Sequence, residues 1–85
     1  MKRFRVAVQI MPRRGILDPQ GTAIAHALHS LGYESLADAR MGKHIELDLA
    51  ASSEAAAEEA AREMCDRLLA NPVTEDFAIA EVRDL

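Results

Sequence analysis

Aromatic residues and cysteine are scarce in this sequence. The 85 residues include no tryptophan, one tyrosine and two phenylalanines, so a core must be built from aliphatic side chains and alanine. The predicted strands lack the aromatic platforms on which RNA bases stack. Cys65 is the single cysteine, which excludes an intrachain disulfide and is typical of a protein from a reducing cytoplasm.

Positive charge and long apolar runs are scarce as well. Ten lysines and arginines stand against fourteen acidic residues, and the net charge is −4. This balance argues against nonspecific binding to nucleic acid or to an anionic membrane. No apolar run reaches the roughly 18 residues of a transmembrane helix, and Val6–Met11 is too short for the core of a signal peptide. The composition therefore predicts a cytoplasmic protein that binds neither nucleic acid nor membrane.

The length of the chain allows one small domain, which covers residues 1–85. A domain of this size buries only about 60–65 % of the surface of its unfolded chain, so we expect its stability to be modest. Association with other copies stabilises the folded state of many small domains, so we expect this chain to form an oligomer.

Alternation of apolar and polar residues predicts four strands. The first covers Phe4–Ile10, and the last lies around Phe77, where the alternation is interrupted. Between them, Tyr33–Arg40 and Lys43–Ala50 are predicted to form a hairpin whose turn, Met41-Gly42, requires positive φ at its glycine. The apolar residues of Tyr33–Arg40 do not share one parity, which indicates a bulge, a bend or an edge position.

The first predicted helix runs from Pro19 to Leu31. Asp18 is its N-cap, Pro19 occupies the first helical position, and Gly32 follows as a left-handed stop. Gly21 lies in the first turn, where glycine costs about 1 kcal/mol relative to alanine. We interpret it as a surface without a side chain that allows another backbone or partner to approach closely. The apolar stripe that we expect to face the core comprises Ile24, Ala27, Leu28 and Leu31.

The second predicted helix runs from Ser53 to Ala70. Ser52 or Ser53 caps it, and favourable i,i+4 pairs follow at Glu58–Arg62 and Glu63–Arg67. The element order is therefore β-α-β-β-α-β. It predicts an α+β fold in which a four-stranded antiparallel sheet carries two helices on one face, as in ferredoxin-like domains.

No constellation of side chains indicates a catalytic centre. His26 and His29 could share a metal ion with His44, but no further ligand completes the set, and solvated histidines are the favoured interpretation. A buried, inert thiol is expected at Cys65 on the apolar face of the second helix. There is no glycine-rich phosphate loop and no suitably spaced Ser/His/Asp set. We therefore predict no catalytic, cofactor-binding or metal-binding residue on this chain.

Two arginines, Arg13 and Arg14, precede the capped helix. With the N–H donors of the helix they could hold an anion, or they are solvated charges beside a turn. Acylphosphatase-like chemistry uses an arginine in such a loop, but it also needs a positioned asparagine. The only asparagine is Asn71 at a helix end, so the sequence leaves anion binding open.

Three segments together resemble one protein family. They are Gly15-x-Leu17-Asp18-Pro19-x-Gly21, Ala27-Leu28-x-x-Leu31-Gly32, and Arg40-Met41-Gly42-Lys43 followed by Ile45-Glu46-Leu47. This combination is similar to the PurS family, the small subunits of bacterial phosphoribosylformylglycinamidine synthase. The resemblance extends over nearly the whole chain and includes its length and element order.

The resemblance implies a place in an enzyme complex of purine biosynthesis. That complex converts formylglycinamide ribonucleotide, glutamine and ATP to the formylglycinamidine, glutamate, ADP and phosphate. ATP and Mg²⁺ belong to the large, PurL-like synthetase subunit, and the PurQ-like glutaminase subunit releases ammonia. A PurS-like chain has no activity in isolation; it joins the two and helps ammonia to pass between them.

A homodimer or higher oligomer is predicted, in which the central hairpin or an edge strand extends the sheet across copies. A small ferredoxin-like dimer that senses a metabolite between its subunits is the alternative. The loop and the turn of the family motifs are the predicted contacts with the other subunits, and the candidate residues are Arg13, Arg14, Gly15, Asp18, Pro19, Gly21, Arg40, Gly42 and Lys43.

Overall fold

A computed structural model describes all 85 residues, and its fold is α+β as predicted. The sheet is antiparallel and has three strands in the order β2-β1-β3, so the prediction of a fourth strand is wrong. In chain order the elements are β1 (Lys2–Pro12), α1 (Pro19–Ser30), β2 (Lys43–Ala51), α2 (Glu54–Met64), a π-helical segment (Cys65–Leu69) and β3 (Glu75–Asp84).

The central strand, β1, supplies most of the core. Its alternate residues Phe4, Val6, Val8 and Ile10 point to one face and are almost completely buried. On β3, Glu81 pairs with Ala7 and Ile79 pairs with Val8, so one extra residue forms a bulge between them. The bulge returns the apolar residues beyond it to the core face, which explains the interrupted alternation in the sequence.

The predicted strand Tyr33–Arg40 does not form. This segment is irregular backbone that lies against α1, and His29 Nε2 is 2.7 Å from the carbonyl oxygen of Leu36. Gly42 is not in a hairpin turn and has no positive φ. It is needed instead for packing, because a Cβ there would overlap the backbone of Ile10 and the sulfur of Met11. Mixed parity leaves Tyr33–Arg40 without an apolar face for the sheet, which is the physical reason for the failed prediction.

One face of the sheet is covered by α2 and by the π-helical segment that continues it. Ser53 caps this helix by accepting a hydrogen bond from the N–H of Ala56 at 3.1 Å. Ala57 and Ala61 are fully buried, and their small side chains bring the helix close to β1. The regular helix ends at Met64, earlier than predicted, and the chain continues as the π-helical segment.

The other helix, α1, is not part of this layer. Its buried residues, Gly21 and Ala25, lie outside the hydrophobic cluster on the sheet, and no residue of α1 packs against that cluster. Leu31 of its predicted core stripe is 74 % exposed. The prediction of two helices on one face is therefore wrong. The molecule is elongated, with extents of 52 × 26 × 14 Å. No helix in the chain combines the length and apolarity needed to cross a membrane.

Candidate functional site

Asp18 connects the two segments that the sequence singled out. Its Oδ1 accepts a hydrogen bond from the N–H of Gly21 at 3.0 Å, as predicted for the N-cap of α1. Its Oδ2 accepts a second bond from the N–H of Met41 at 2.9 Å. Bonds to the charged form stabilise it, so these two N–H groups, that of Gly21 first, lower the pKa of Asp18 below its usual value near 3.8.

Gly21 lies where the two segments touch. A Cβ at this position would overlap the carbonyl oxygen of Ala39 and the carboxylate of Asp18. The interpretation of Gly21 as a point of close approach is therefore confirmed, and the approaching backbone belongs to the same chain. Glycine thus permits a contact that alanine would prevent, which outweighs its poor helix propensity.

A third link joins the end of β1 to the same corner. Arg40 donates a hydrogen bond from Nη2 to the carbonyl oxygen of Pro12. Together with the bonds of Asp18, it ties the end of β1, the start of α1 and the segment before β2 into one corner. These contacts are made to backbone atoms of Ala39, Met41 and Pro12, so no pattern of side chains in the sequence could have identified them. The exception is the contact with Ala39, which the glycine at position 21 indicated.

A cleft of about 230 Å³ opens at this corner. Arg13, Arg14, Gly15, Asp18 and Arg40 line it, so the structure brings five of the nine candidate residues together. The lining also includes Asp38, and the two carboxylates offset part of the positive charge. The cleft is therefore a mixed polar surface rather than a purely cationic one.

The remaining candidates are placed around the corner. Pro19 and Gly21 belong to the first turn of α1, and Gly42 lies against the end of β1. Lys43 opens β2 and pairs with Glu75 at 3.5 Å. Arg13 also forms an ion pair, with Asp76 at 3.1 Å, whereas Arg14 forms none.

Side chains with catalytic potential do not converge here. No group of three His, Cys, Asp or Glu side chains is arranged to hold a metal ion. Cys65 is fully buried, and burial raises the pKa of its thiol. The corner thus offers fixed backbone and charged side chains at the surface, which is suited to contact with another macromolecule.

Comparison with known proteins places the chain in a family. The model of the PurS family, described as phosphoribosylformylglycinamidine (FGAM) synthase, matches residues 5–83. The chain belongs to the PurS family. The FGAM synthase subunit PurS of Bacillus subtilis is 42 % identical over 74 residues, which are 87 % of each chain. The PurS subunit of Methanocaldococcus jannaschii is 34 % identical over 76 residues, 89 % of this chain and 92 % of that protein.

Solved PurS structures share the fold. Thermus thermophilus PurS superposes with a TM-score of 0.88 at 38 % identity, over 98 % of both chains. A chain of the PurLQS structure from Thermotoga maritima superposes with a TM-score of 0.82 at 33 % identity, over the full length of both. Since these superpositions include nearly every residue, the projecting α1 belongs to the shared architecture.

Proposed function

We propose that this chain is the small, non-catalytic subunit of FGAM synthase. In this role it joins the large synthetase subunit to the glutaminase subunit and helps ammonia to pass between them. The observation that carries the proposal is the full-length match to a chain of the PurLQS assembly from Thermotoga maritima. ATP and Mg²⁺ are bound by the synthetase subunit, the chain works in the cytoplasm, and it acts as a homodimer or a higher homo-oligomer.

The corner at Asp18 is the proposed contact with the larger subunits. Three hydrogen bonds fix its backbone, so little conformational entropy is lost when a partner binds. Arg14 is exposed and has no acidic partner within the chain, which leaves its guanidinium available to a carboxylate of another subunit.

Reconstitution tests this function. Synthetase and glutaminase subunits are assayed for FGAM formation with glutamine or with ammonium salt, with and without this chain. We expect glutamine-dependent synthesis to require the chain and ammonia-dependent synthesis to depend on it much less. Equal glutamine-dependent rates in its absence, or FGAM formation by the chain alone, would refute the proposal.

Charge reversal at the corner tests the contact surface. Arg14→Glu is expected to weaken assembly with the larger subunits, because it places a carboxylate where a cation is needed. Arg3→Glu is the matched control, since Arg3 is also exposed and forms no ion pair but lies at the end of β1 that is remote from the corner. Binding is measured by sedimentation of the mixed subunits. Equal loss of binding in both variants would exclude a specific contribution of the corner. A melting-temperature shift with free metabolites alone would favour the ligand-sensing alternative.

A further inference from the structure

Asp66 occupies a position that is unfavourable for a carboxylate. It lies in the last turn of the continuous helix that α2 and the π-helical segment form over residues 54–69. The C-terminal end of a helix carries partial negative charge, so it favours cations and disfavours carboxylates. No cation of the chain offsets this charge, because Arg62, one turn earlier, pairs with Glu58 at 3.6 Å instead. Stability of the fold therefore does not account for an acidic residue here.

The backbone of the same turn also has an acceptor to spare. In a regular α-helix the N–H of Ala70 would bond to the carbonyl of Asp66. Here it donates to the carbonyl of Cys65 at 3.0 Å, and the next N–H, that of Asn71, donates to Oε1 of Glu75 at 2.8 Å. The carbonyl of Asp66 receives neither bond. π-Helical turns of this kind are frequent at functional sites, and this one presents a carboxylate and a carbonyl acceptor on one residue.

Asp66 lines a cleft of about 330 Å³ between the π-helical segment and the start of β3, which we call the Asp66 cleft. Its lining includes Cys65 and Ala70, which are almost completely buried, and the half-buried ring of Phe77. Lysine and arginine pack their methylene groups on apolar surface and place the charged end beside polar groups. Apolar lining next to an acceptor-rich residue therefore fits a basic side chain.

The other carboxylates of the Asp66 cleft are neutralised within the chain. Glu75 pairs with Lys43 at 3.5 Å, and Asp76 pairs with Arg13 at 3.1 Å. Asp66 is the one lining carboxylate that forms no ion pair. A single cation from outside the chain would therefore complete the charge balance of the cleft.

The Asp66 cleft is continuous with the cleft at the corner, because Arg13 lines both. Arg14, a cation without an ion pair, lies on one side of the Arg13–Asp76 pair, and Asp66, a carboxylate without one, lies on the other. A partner that covers both clefts thus meets two opposite charges in a fixed order. Complementary charges of this kind determine the orientation in which two proteins bind.

We propose that the Asp66 cleft receives a basic side chain of the same larger subunit that presents a carboxylate to Arg14. The inference rests on the proposed function and names the chemistry of the partner surface. The methylene groups of the incoming side chain lie along Ala70 and Phe77, and its N–H donors reach the carboxylate and the carbonyl of Asp66. A subunit that approaches in the reverse orientation is repelled at both clefts.

Charge reversal at Asp66 tests the contact. Asp66→Lys is expected to weaken binding of the larger subunits about tenfold or more, measured by sedimentation of the mixed subunits. Glu59→Lys is the matched control, since Glu59 is an exposed residue of α2 that forms no ion pair, and both substitutions change the net charge equally. We expect the control to bind within about threefold of wild type. An equal loss in both variants would overturn the proposal, because it would reflect net charge alone.

A neutral variant distinguishes a contact from a structural role. Asp66→Asn removes a carboxylate that opposes the helix dipole, so its melting temperature should equal or exceed that of wild type. Its binding should be weaker and less dependent on salt concentration, because one ion pair with the partner is lost. Glu59→Gln should change neither property. Wild-type binding by Asp66→Asn, or a melting temperature that falls together with binding, would refute the proposal.

Two further readouts separate this inference from its neighbours. Sedimentation of Asp66→Lys alone should match wild type; a changed oligomeric state would assign the cleft to a contact between copies and overturn the proposal. In the reconstitution assay, glutamine-dependent synthesis that requires the chain but tolerates Asp66→Lys would refute this inference alone. Synthesis that proceeds equally without the chain would refute the proposed function, and the inference with it.

Discussion

Gly21→Ala reverses the usual effect of this substitution in a helix. Alanine is favoured over glycine by about 1 kcal/mol in helix interiors. Here the added Cβ overlaps the carbonyl oxygen of Ala39, which is backbone and has little freedom to move. Overpacking costs about 1–3 kcal/mol, and a rigid neighbour places this site in the upper part of that range. After the gain of about 1 kcal/mol in helix propensity is subtracted, the free energy of unfolding is expected to fall by about 1–2 kcal/mol.

Thermal unfolding followed by circular dichroism measures this loss. For a domain of this size, 1 kcal/mol corresponds to about 4–8 °C in melting temperature, so we expect a decrease of about 5–15 °C. Thr22→Ala is the control. Thr22 is an exposed neighbour in the same turn, and alanine there improves helix propensity. Protein concentration is kept equal, because dimer formation makes the melting temperature depend on it.

Opposite signs at adjacent positions are the decisive result. Alanine should lower the melting temperature at Gly21 and leave it unchanged or raise it at Thr22. If Gly21→Ala melts at or above the wild-type temperature, the approach of Ala39 does not constrain this position, and the argument for a closed corner is wrong.

Three further outcomes follow from single side chains. Asp18→Asn removes the carboxylate that accepts a hydrogen bond from the N–H of Met41. The pKa of Asp18 is lowered in the folded chain, so the carboxylate stabilises the fold fully above about pH 4, the region of its unfolded pKa. This stabilisation is lost as the pH falls through the folded pKa. The gap in melting temperature between wild type and variant should therefore narrow in acid, and a widening gap would contradict this. Cys65 should react with a thiol reagent only after unfolding, and rapid labelling of the native chain would contradict its burial. Ile10→Ala should cost about 2–5 kcal/mol in urea unfolding, whereas a smaller loss would show that the core is loosely packed there.

Local sequence rules predicted the elements whose determinants are local. The alternation of Phe4–Ile10 placed β1, and Asp18 with Pro19 placed the start of α1 to the residue. The interrupted alternation of apolar and polar residues after Phe77 corresponds to the bulge in β3. In these cases the backbone conformation depends on neighbours along the chain, which the sequence displays directly.

The errors concern contacts between distant segments. The stripe on α1 indicated that one side of the helix is apolar, but periodicity does not reveal which surface, or which chain, will cover it. Tyr33 is a strand-favouring residue, but Glu34, Asp38 and the alanines are not. The mixed parity of Tyr33–Arg40 also gives no face to bury, and the segment packs on α1 instead. At the candidate site, the sequence predicted the Arg13–Gly21 loop and the Arg40–Lys43 turn as separate contact sites. Only the structure shows that Asp18 joins them by accepting hydrogen bonds from backbone N–H groups.

The hydrogen bonds of Asp18 determine two features of the molecule. Asp18 fixes the loop that carries Arg14, and the same bonds direct α1 away from the sheet. A substitution at Asp18 is therefore expected to lower the melting temperature of the chain and to weaken its binding to the larger subunits, because both depend on one set of hydrogen bonds. Arg14→Glu leaves these bonds in place, so it is expected to weaken binding to the larger subunits while the melting temperature of the chain stays at the wild-type value.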